Sequence, residues 1–128
     1  MKEQLLWELE FWENKVGNCP VEDVMRDIRH SDPRLYEDIY DKIGRFSCVW
    51  PMQDFLRSAH VKYLKDKLIE YRITAAGQEF LMLGIVLYPL GDVPRFLCFH
   101  AFLKKSEKMP KRELRLALER LRQYKGQK

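Results

Sequence analysis

The segment from Phe96 to Tyr124, FLCFHAFLKKSEKMPKRELRLALERLRQY, constrains the fold more than any other part of the chain. Phe96 to Leu103 is apolar apart from His100 and runs straight into Lys104 and Lys105. Beyond a short link, Pro110 introduces Leu114, Ala117, Leu118 and Leu121, spaced by three and four. A short apolar run bounded by polar residues suits a buried strand, and the second spacing is that of an amphipathic helix. Proline fits the first turn of a helix, where its missing N–H costs no hydrogen bond. A strand that hands over to a helix in this way predicts helix layered on sheet.

The same segment carries the positive charge. Residues 104–128 hold ten Lys or Arg against three Glu, a net +7 in a chain whose total is +4. Residues 1–59 hold 8 basic and 12 acidic side chains. Such concentration points to a polyanionic partner; a solvated helix face that maintains solubility gives the same pattern.

A length of 128 residues suits a single domain over 1–128, and 46% hydrophobic with 33% charged residues is a soluble globular composition. No apolar run approaches the ~20 residues of a membrane span. The N-terminus lacks the basic-then-apolar order of a signal peptide. Cys19, Cys48 and Cys98 show no paired spacing and read as free thiols in a reducing compartment. The expectation is a cytoplasmic protein with no membrane association.

Leu5, Trp7, Leu9 and Phe11 alternate with Glu8 and Glu10, which predicts a half-buried strand. A loop over 13–18 contains Gly17. Pro20 opens a helix with Val21, Val24, Met25 and Ile28 on one face. Asp32 and Pro33 open a second, whose stripe is Leu35, Tyr36, Ile39, Ile43 and Phe46. A link of three or four residues would join the two as a hairpin lying on the sheet. Trp50-Pro51 ends the second helix, and 53–61 reads as a short helix. Strands are predicted over 68–73, 80–87 and 96–103, with turns at Ala75-Ala76-Gly77 and Pro89-Leu90-Gly91-Asp92. The order is β-α-α-β-β-β-α: an α+β domain with a mostly antiparallel twisted sheet, a helical hairpin on one face and a C-terminal helix.

His30, His60 and His100 are far apart, and neither a zinc-spaced cysteine pair, a glycine-rich phosphate loop nor a nucleophile elbow occurs. No metal and no cofactor is expected. What remains is a polar set on the sheet. Glu70 and Arg72 lie opposite Ile69, Tyr71 and Ile73, so Arg72 faces away from the hairpin. Strict alternation gives Phe96, Cys98, His100, Phe102 and Lys104 one shared face. A sheet face bearing Arg and Lys beside a basic helix suits single-stranded RNA. Cations there can stabilise the charge that develops during phosphodiester cleavage, and lysine can move protons where its pKa is depressed. The residues alone fit both a nuclease and an RNA-binding domain.

The stretches LIEYRI (68–73) and FHAFLKKSEKMPKREL (99–114), with a glycine turn and an apolar strand between them, resemble the RelE/ParE superfamily of toxins. The similarity is to the HigB-like, phage-derived branch, whose last strand ends in H-x-F-x-K-K-[TS]-x-K-x-P. It covers 68–124 and 5–28, and is weak over 47–67. It implies a RelE-like fold and a toxin of a type II toxin–antitoxin system. The implied activity is metal-independent, ribosome-dependent endoribonuclease cleavage of mRNA (an mRNA interferase), neutralised by a helix-turn-helix antitoxin. The implied partners are that antitoxin, the ribosome and mRNA, with promoter DNA reached only through the antitoxin complex. The implied catalytic residues are Arg72, Lys104 and His100, and RNA would be bound by Lys105, Lys108, Lys111, Arg112 and Arg115. One departure stands out: Phe80-Leu81 occupies a place where the family often has Tyr-Arg. The alternative is a non-catalytic module of the same fold that binds an antitoxin-like protein or RNA.

Overall fold

The structure is a computed structural model that describes residues 5–105 and 107–127; Ser106 and Lys128, both within the basic segment, lie outside these. Five strands form one sheet in the order β1-β5-β4-β3-β2. They are β1 (Glu8–Phe11), β2 (Val61–Tyr63), β3 (Ile69–Ala75), β4 (Gln78–Leu87) and β5 (Arg95–Lys104). β1 runs parallel to β5 and the other pairs are antiparallel, so the sheet is mixed and the fold α+β. Helices α1 (Pro20–Ser31), α2 (Pro33–Val49) and the short α3 (Met52–Leu56) pack on one face, and α4 (Lys111–Gly126) packs on the other.

The helix starts follow their local chemistry. Pro20 and Pro33 occupy the first turns of α1 and α2. Asp32 caps α2, its Oδ1 accepting from the Leu35 N–H at 3.2 Å. The helical hairpin forms as expected, but Asp32 alone links the helices rather than three or four residues. Its non-helical backbone (φ −151°, ψ 81°) turns the chain while its side chain caps the next helix. The region expected as one short helix over 53–61 divides into α3 and the start of β2, an edge strand too short to give an alternation signal.

Two cores sandwich the sheet. Val21, Met25, Ile28, Leu35, Ile39 and Ile43 from the hairpin meet Ile69, Tyr71, Ile73, Phe80, Met82 and Phe96. Trp7 stacks on Phe55 (4.6 Å between ring centroids) and meets Tyr71 edge-on at 6.3 Å. On the other face, Ala117 and Leu121 of α4 cover Leu83, Leu97 and Phe99, with Leu114 and Leu118 at the margin. Each fully buried aliphatic side chain contributes about 1.5–3 kcal/mol relative to exposure.

The β3–β4 turn is Ala76-Gly77, both with positive φ (48° and 76°), the conformation that two-residue hairpin turns of twisted strands adopt. It sets a register in which Thr74 faces Glu79 and Arg72 faces Leu81. Between β4 and β5 the register slips: Leu83 faces His100, while Gly84 faces Cys98. Phe99 is therefore the extra residue of a β-bulge. The bulge corrects the parity expected for β5. Phe96 and Cys98 join the hairpin-side core, and Phe99 lies on the α4 side. His100 contacts α4 as well, so Phe102 and Lys104 follow it onto that face.

Candidate functional site

The α4 side of the sheet carries three cross-strand rows. The first is Glu70, Leu83 and His100; the second Arg72, Leu81 and Phe102; the third Thr74, Glu79 and Lys104. Register thus brings Arg72 and Lys104, two of the three expected catalytic residues, to either side of Glu79. Arg72 Nη1 lies 3.9 Å from Glu79 Oε1, and Lys104 Nζ lies 3.7 Å from Glu79 Oε2. Arg72 Nη2 also donates to Glu70 Oε2 at 3.2 Å.

These contacts differ in kind. The Glu70 side chain is only 5% exposed, so its carboxylate needs a cation beside it and anchors the guanidinium. Glu79 is 39% exposed and reaches both cations at long range; its contact with Arg72 is a partly exposed ion pair that contributes little, whereas the Lys104 side chain is only 11% exposed and takes its compensating charge from Glu79. A phosphate that displaces Glu79 would have to supply that charge itself. Arg72 Nε is buried without a hydrogen-bond partner in the protein. The face is less open than the sequence suggests, because α4 covers its β5 side and Arg72 is only half exposed. An open cleft of about 450 Å³ remains, lined by Glu79, Lys104, Lys105 and Glu107.

His100 is set deeper, at the seam between β5 and α4. Its Nε2 is 2.6 Å from Glu113 Oε2, and its Nδ1 is 2.8 Å from Arg120 Nη1. Arginine only donates, so Nδ1 accepts and Nε2 carries the proton given to Glu113. Burial lowers the His100 pKa; Glu113 opposes the shift, and Arg120 and Arg112 add to it. Arg120 also donates to the Phe99 carbonyl at 3.0 Å, the bulge residue itself. The ring therefore locks α4 to the bulge and has no nitrogen directed to the Arg72–Glu79–Lys104 cluster.

Lys105 and Lys108 are exposed in the link before α4, and Lys111, Arg112 and Arg115 are exposed on its first two turns. They stand at the positive end of the helix dipole. Arg115 lines a further groove of about 520 Å³ with Asp66, Arg122 and Lys125. The backbone beside it is unusual, with Asp66 and Lys67 both at positive φ (57° and 68°).

Glu70, Glu79, Glu113 and Arg120 do not stand out from the sequence as site residues, although three of them left a signal. The two-residue turn at Ala76-Gly77 dictates the Thr74–Glu79 pairing and so puts Glu79 diagonal to Arg72. Glu113 and Arg120 are seven apart, two turns along one helix face. Leu81 is fully buried in the row between Arg72 and Phe102. Among the described residues no group of three His, Cys, Asp or Glu side chains could hold a metal ion, and no helix is long and apolar enough to cross a membrane. No protein-family model matches the chain, and no curated protein matches it.

Proposed function

We propose that the chain is a toxin of the RelE/ParE superfamily, in its HigB-like branch, which cleaves mRNA on the ribosome and is silenced by a helix-turn-helix antitoxin. The observation that carries this reading is the sharing of Glu79 by Arg72 and Lys104 on one sheet face, next to the basic start of α4. An RNA phosphate displaces Glu79 from the two cations. Arg72, held by Glu70, and Lys104 then stabilise the charge that builds on the phosphorane. The released Glu79 carboxylate takes the proton of the attacking 2′-hydroxyl, and the Lys104 ammonium gives one to the departing 5′-oxygen. His100 positions α4, and with it Lys111, Arg112 and Arg115, which hold flanking phosphates. The order β1-β5-β4-β3-β2, with its single parallel pair, supports a RelE-like arrangement.

A second reading is favoured by Leu81. Where the family often supplies a further cation, this chain has a side chain with no solvent exposure. A module that binds RNA or an antitoxin-like protein without cleaving keeps every other feature.

Cleavage of ribosome-programmed mRNA by the parent and by Lys104→Ala separates the two. The toxin reading expects cleavage by the parent and a loss of about 100-fold in the variant. A folded parent that binds RNA and leaves it intact establishes the second reading. Growth arrest on induction, relieved by an adjacent helix-turn-helix gene, tests the antitoxin.

A further inference from the structure

A cavity of about 360 Å³ opens between the C-terminal half of α2 and the edge of β3. β2 pairs only with Ile69–Tyr71, so the backbone of Arg72–Thr74 is left as one wall. Lys42, Arg45, Phe46 and Val49 line the opposite wall, their spacing of three and four placing them on one face of α2. Trp50 and His60 close the far side. The three rings meet in a cage: Phe46 is 4.6 Å from His60 and 5.1 Å from Trp50, and Trp50 is 6.0 Å from His60.

The lining holds cations, aromatic rings and no carboxylate. Arg45 is 72% exposed, and its partner Asp41 lies outside the cavity. Val49 leaves 66% of its surface open, although it is apolar. A second cavity of about 390 Å³ adjoins the first and shares Val49, Trp50 and His60, so the Trp50–His60 pair has open space on both sides.

Cavities of about 300–1,000 Å³ are the size that takes small ligands. Lys42 pairs with Asp38 and Arg45 with Asp41, and both carboxylates lie outside the lining, so the cavity itself presents rings and cations, which select a flat aromatic group that carries negative charge. Every nucleobase has a π-face for such rings, and phosphate accepts readily from arginine and lysine. A peptide strand adding to the β3 edge fits less well. It would need the Arg72 N–H, already donated to the His60 carbonyl at 2.8 Å, and the Thr74 carbonyl, already taken by Lys42 Nζ. We propose that this cavity binds one nucleotide, with its base against Trp50 and His60 and its phosphate at Lys42 and Arg45. The nucleotide is either a free mononucleotide or one unit of single-stranded RNA. The assignment rests on the cage and its cations, and holds whether or not the chain cleaves RNA.

Calorimetric titration of the intact chain with AMP, adenosine, ribose 5-phosphate and a short single-stranded oligoribonucleotide tests it. AMP or the oligonucleotide should bind, with adenosine and ribose 5-phosphate each weaker by about 10-fold or more. Trp50→Ala should remove binding. Because Trp50 is half-buried, two surface changes back it up: Arg45→Glu and Val49→Glu should each weaken binding by about 10-fold with an unchanged circular dichroism spectrum. Arg26→Glu, a comparable charge reversal on α1, should have no effect. An oligonucleotide that binds more tightly than AMP with the same variant profile identifies RNA as the source; equal affinity identifies the free nucleotide. Absence of binding by both, or binding indifferent to Arg45→Glu and Val49→Glu, overturns the assignment. So does capture of an acidic aromatic peptide in place of AMP and RNA, which would make the occupant a protein.

Discussion

The Nδ1 of His100 accepts a hydrogen bond from Arg120 Nη1 at 2.8 Å, and that one contact determines the charge of the imidazole. A proton on Nδ1 would set donor against donor, beside a permanently charged guanidinium. The neutral ring is therefore the form that fits the seam between β5 and α4, with Glu113 accepting from Nε2.

The first prediction concerns acid. The His100 pKa is lowered in the folded chain, chiefly by burial, so below about pH 6.5 the unfolded chain binds the extra proton and the folded chain resists it. The stability from this site is fully present above that pH and is lost as pH falls through and below it. The melting temperature should drop between about pH 7.5 and about pH 5, before most carboxylates titrate. His100→Gln offers one donor and one acceptor without a titrating proton, and should flatten the profile in that window. Parallel profiles for parent and variant would disprove the role given to the ring.

Gly84 provides a test of the bulge. A Cβ at that position would lie 2.1 Å from the Leu97 carbonyl oxygen and 2.9 Å from its carbon, both backbone atoms of the neighbouring strand. No rotamer change relieves such a clash, so β4 and β5 must part where the register slips. Gly84→Ala should cost about 3 kcal/mol or more, above the common range for overpacking. Urea denaturation measures it, and a midpoint equal to the parent's would refute the close approach.

Asp32 joins two helices and caps the second. Asp32→Ala should cost about 1 kcal/mol by removing the acceptor for the Leu35 N–H. Asp32→Asn keeps an acceptor and should stay close to the parent in the same denaturation experiment.

What the sequence discloses follows from the range of each interaction. The helix starts at Pro20 and Pro33 depend on neighbours within a turn, and so does the paired positive φ at Ala76-Gly77; all are readable locally. The strands are readable too, because both faces of β4 and β5 are buried and their apolar runs are long. The bulge at Phe99 is a property of two strands together, and nothing in FLCFHAFLK announces it. Strict alternation consequently assigns Phe96 and Cys98 to the face of His100, when they belong to the opposite core. β2 is hidden for another reason: three residues on an edge strand are too few to carry a period. Arg72 and Lys104 are picked out by residue type, by alternation and by the resemblance of the motifs that contain them. Glu70 is placed beside Arg72 by alternation but given no role, and Glu79 is overlooked, because a search for cations on behalf of a polyanion passes over the carboxylates that keep those cations in place.

The Leu81 position constrains the addition of a further cation to its row. Its side chain is fully buried, with Arg72 on one side and Phe102 on the other. Leu81→Arg would put a second guanidinium into that row without water or a spare carboxylate. Uncompensated buried charge is costly by several kcal/mol. The variant should be destabilised or unfolded by circular dichroism. A folded, parent-stable Leu81→Arg would mean that the site opens more than the packing indicates.

The roles of Glu70 and Glu79 yield the last prediction. Arg72→Ala alone leaves Glu70 charged, 5% exposed and unpaired, so a loss of activity in that variant could reflect unfolding. The informative double variant is Glu70→Gln with Arg72→Gln, which removes both charges and retains hydrogen-bonding groups. It should fold and, under the proposed toxin activity, should cleave mRNA about 100-fold more slowly than the parent. Glu79→Gln is its counterpart. It frees Arg72 and Lys104 from a competing carboxylate while keeping the shape; since Lys104 is only 11% exposed, folding is checked by circular dichroism, and in the folded variant RNA should bind more tightly and with a steeper salt dependence, by about one charge. If Glu79 is also the base for the 2′-hydroxyl, the same variant should cleave slowly despite tighter binding. Lys111→Ala, Arg112→Ala and Arg115→Ala should each lower affinity modestly and reduce the salt slope by about one, with little change in single-turnover rate at saturation. Fluorescence anisotropy against salt and single-turnover cleavage read these quantities separately. Weaker RNA binding by folded Glu79→Gln would show that the carboxylate contacts RNA itself, and the displacement mechanism would fall.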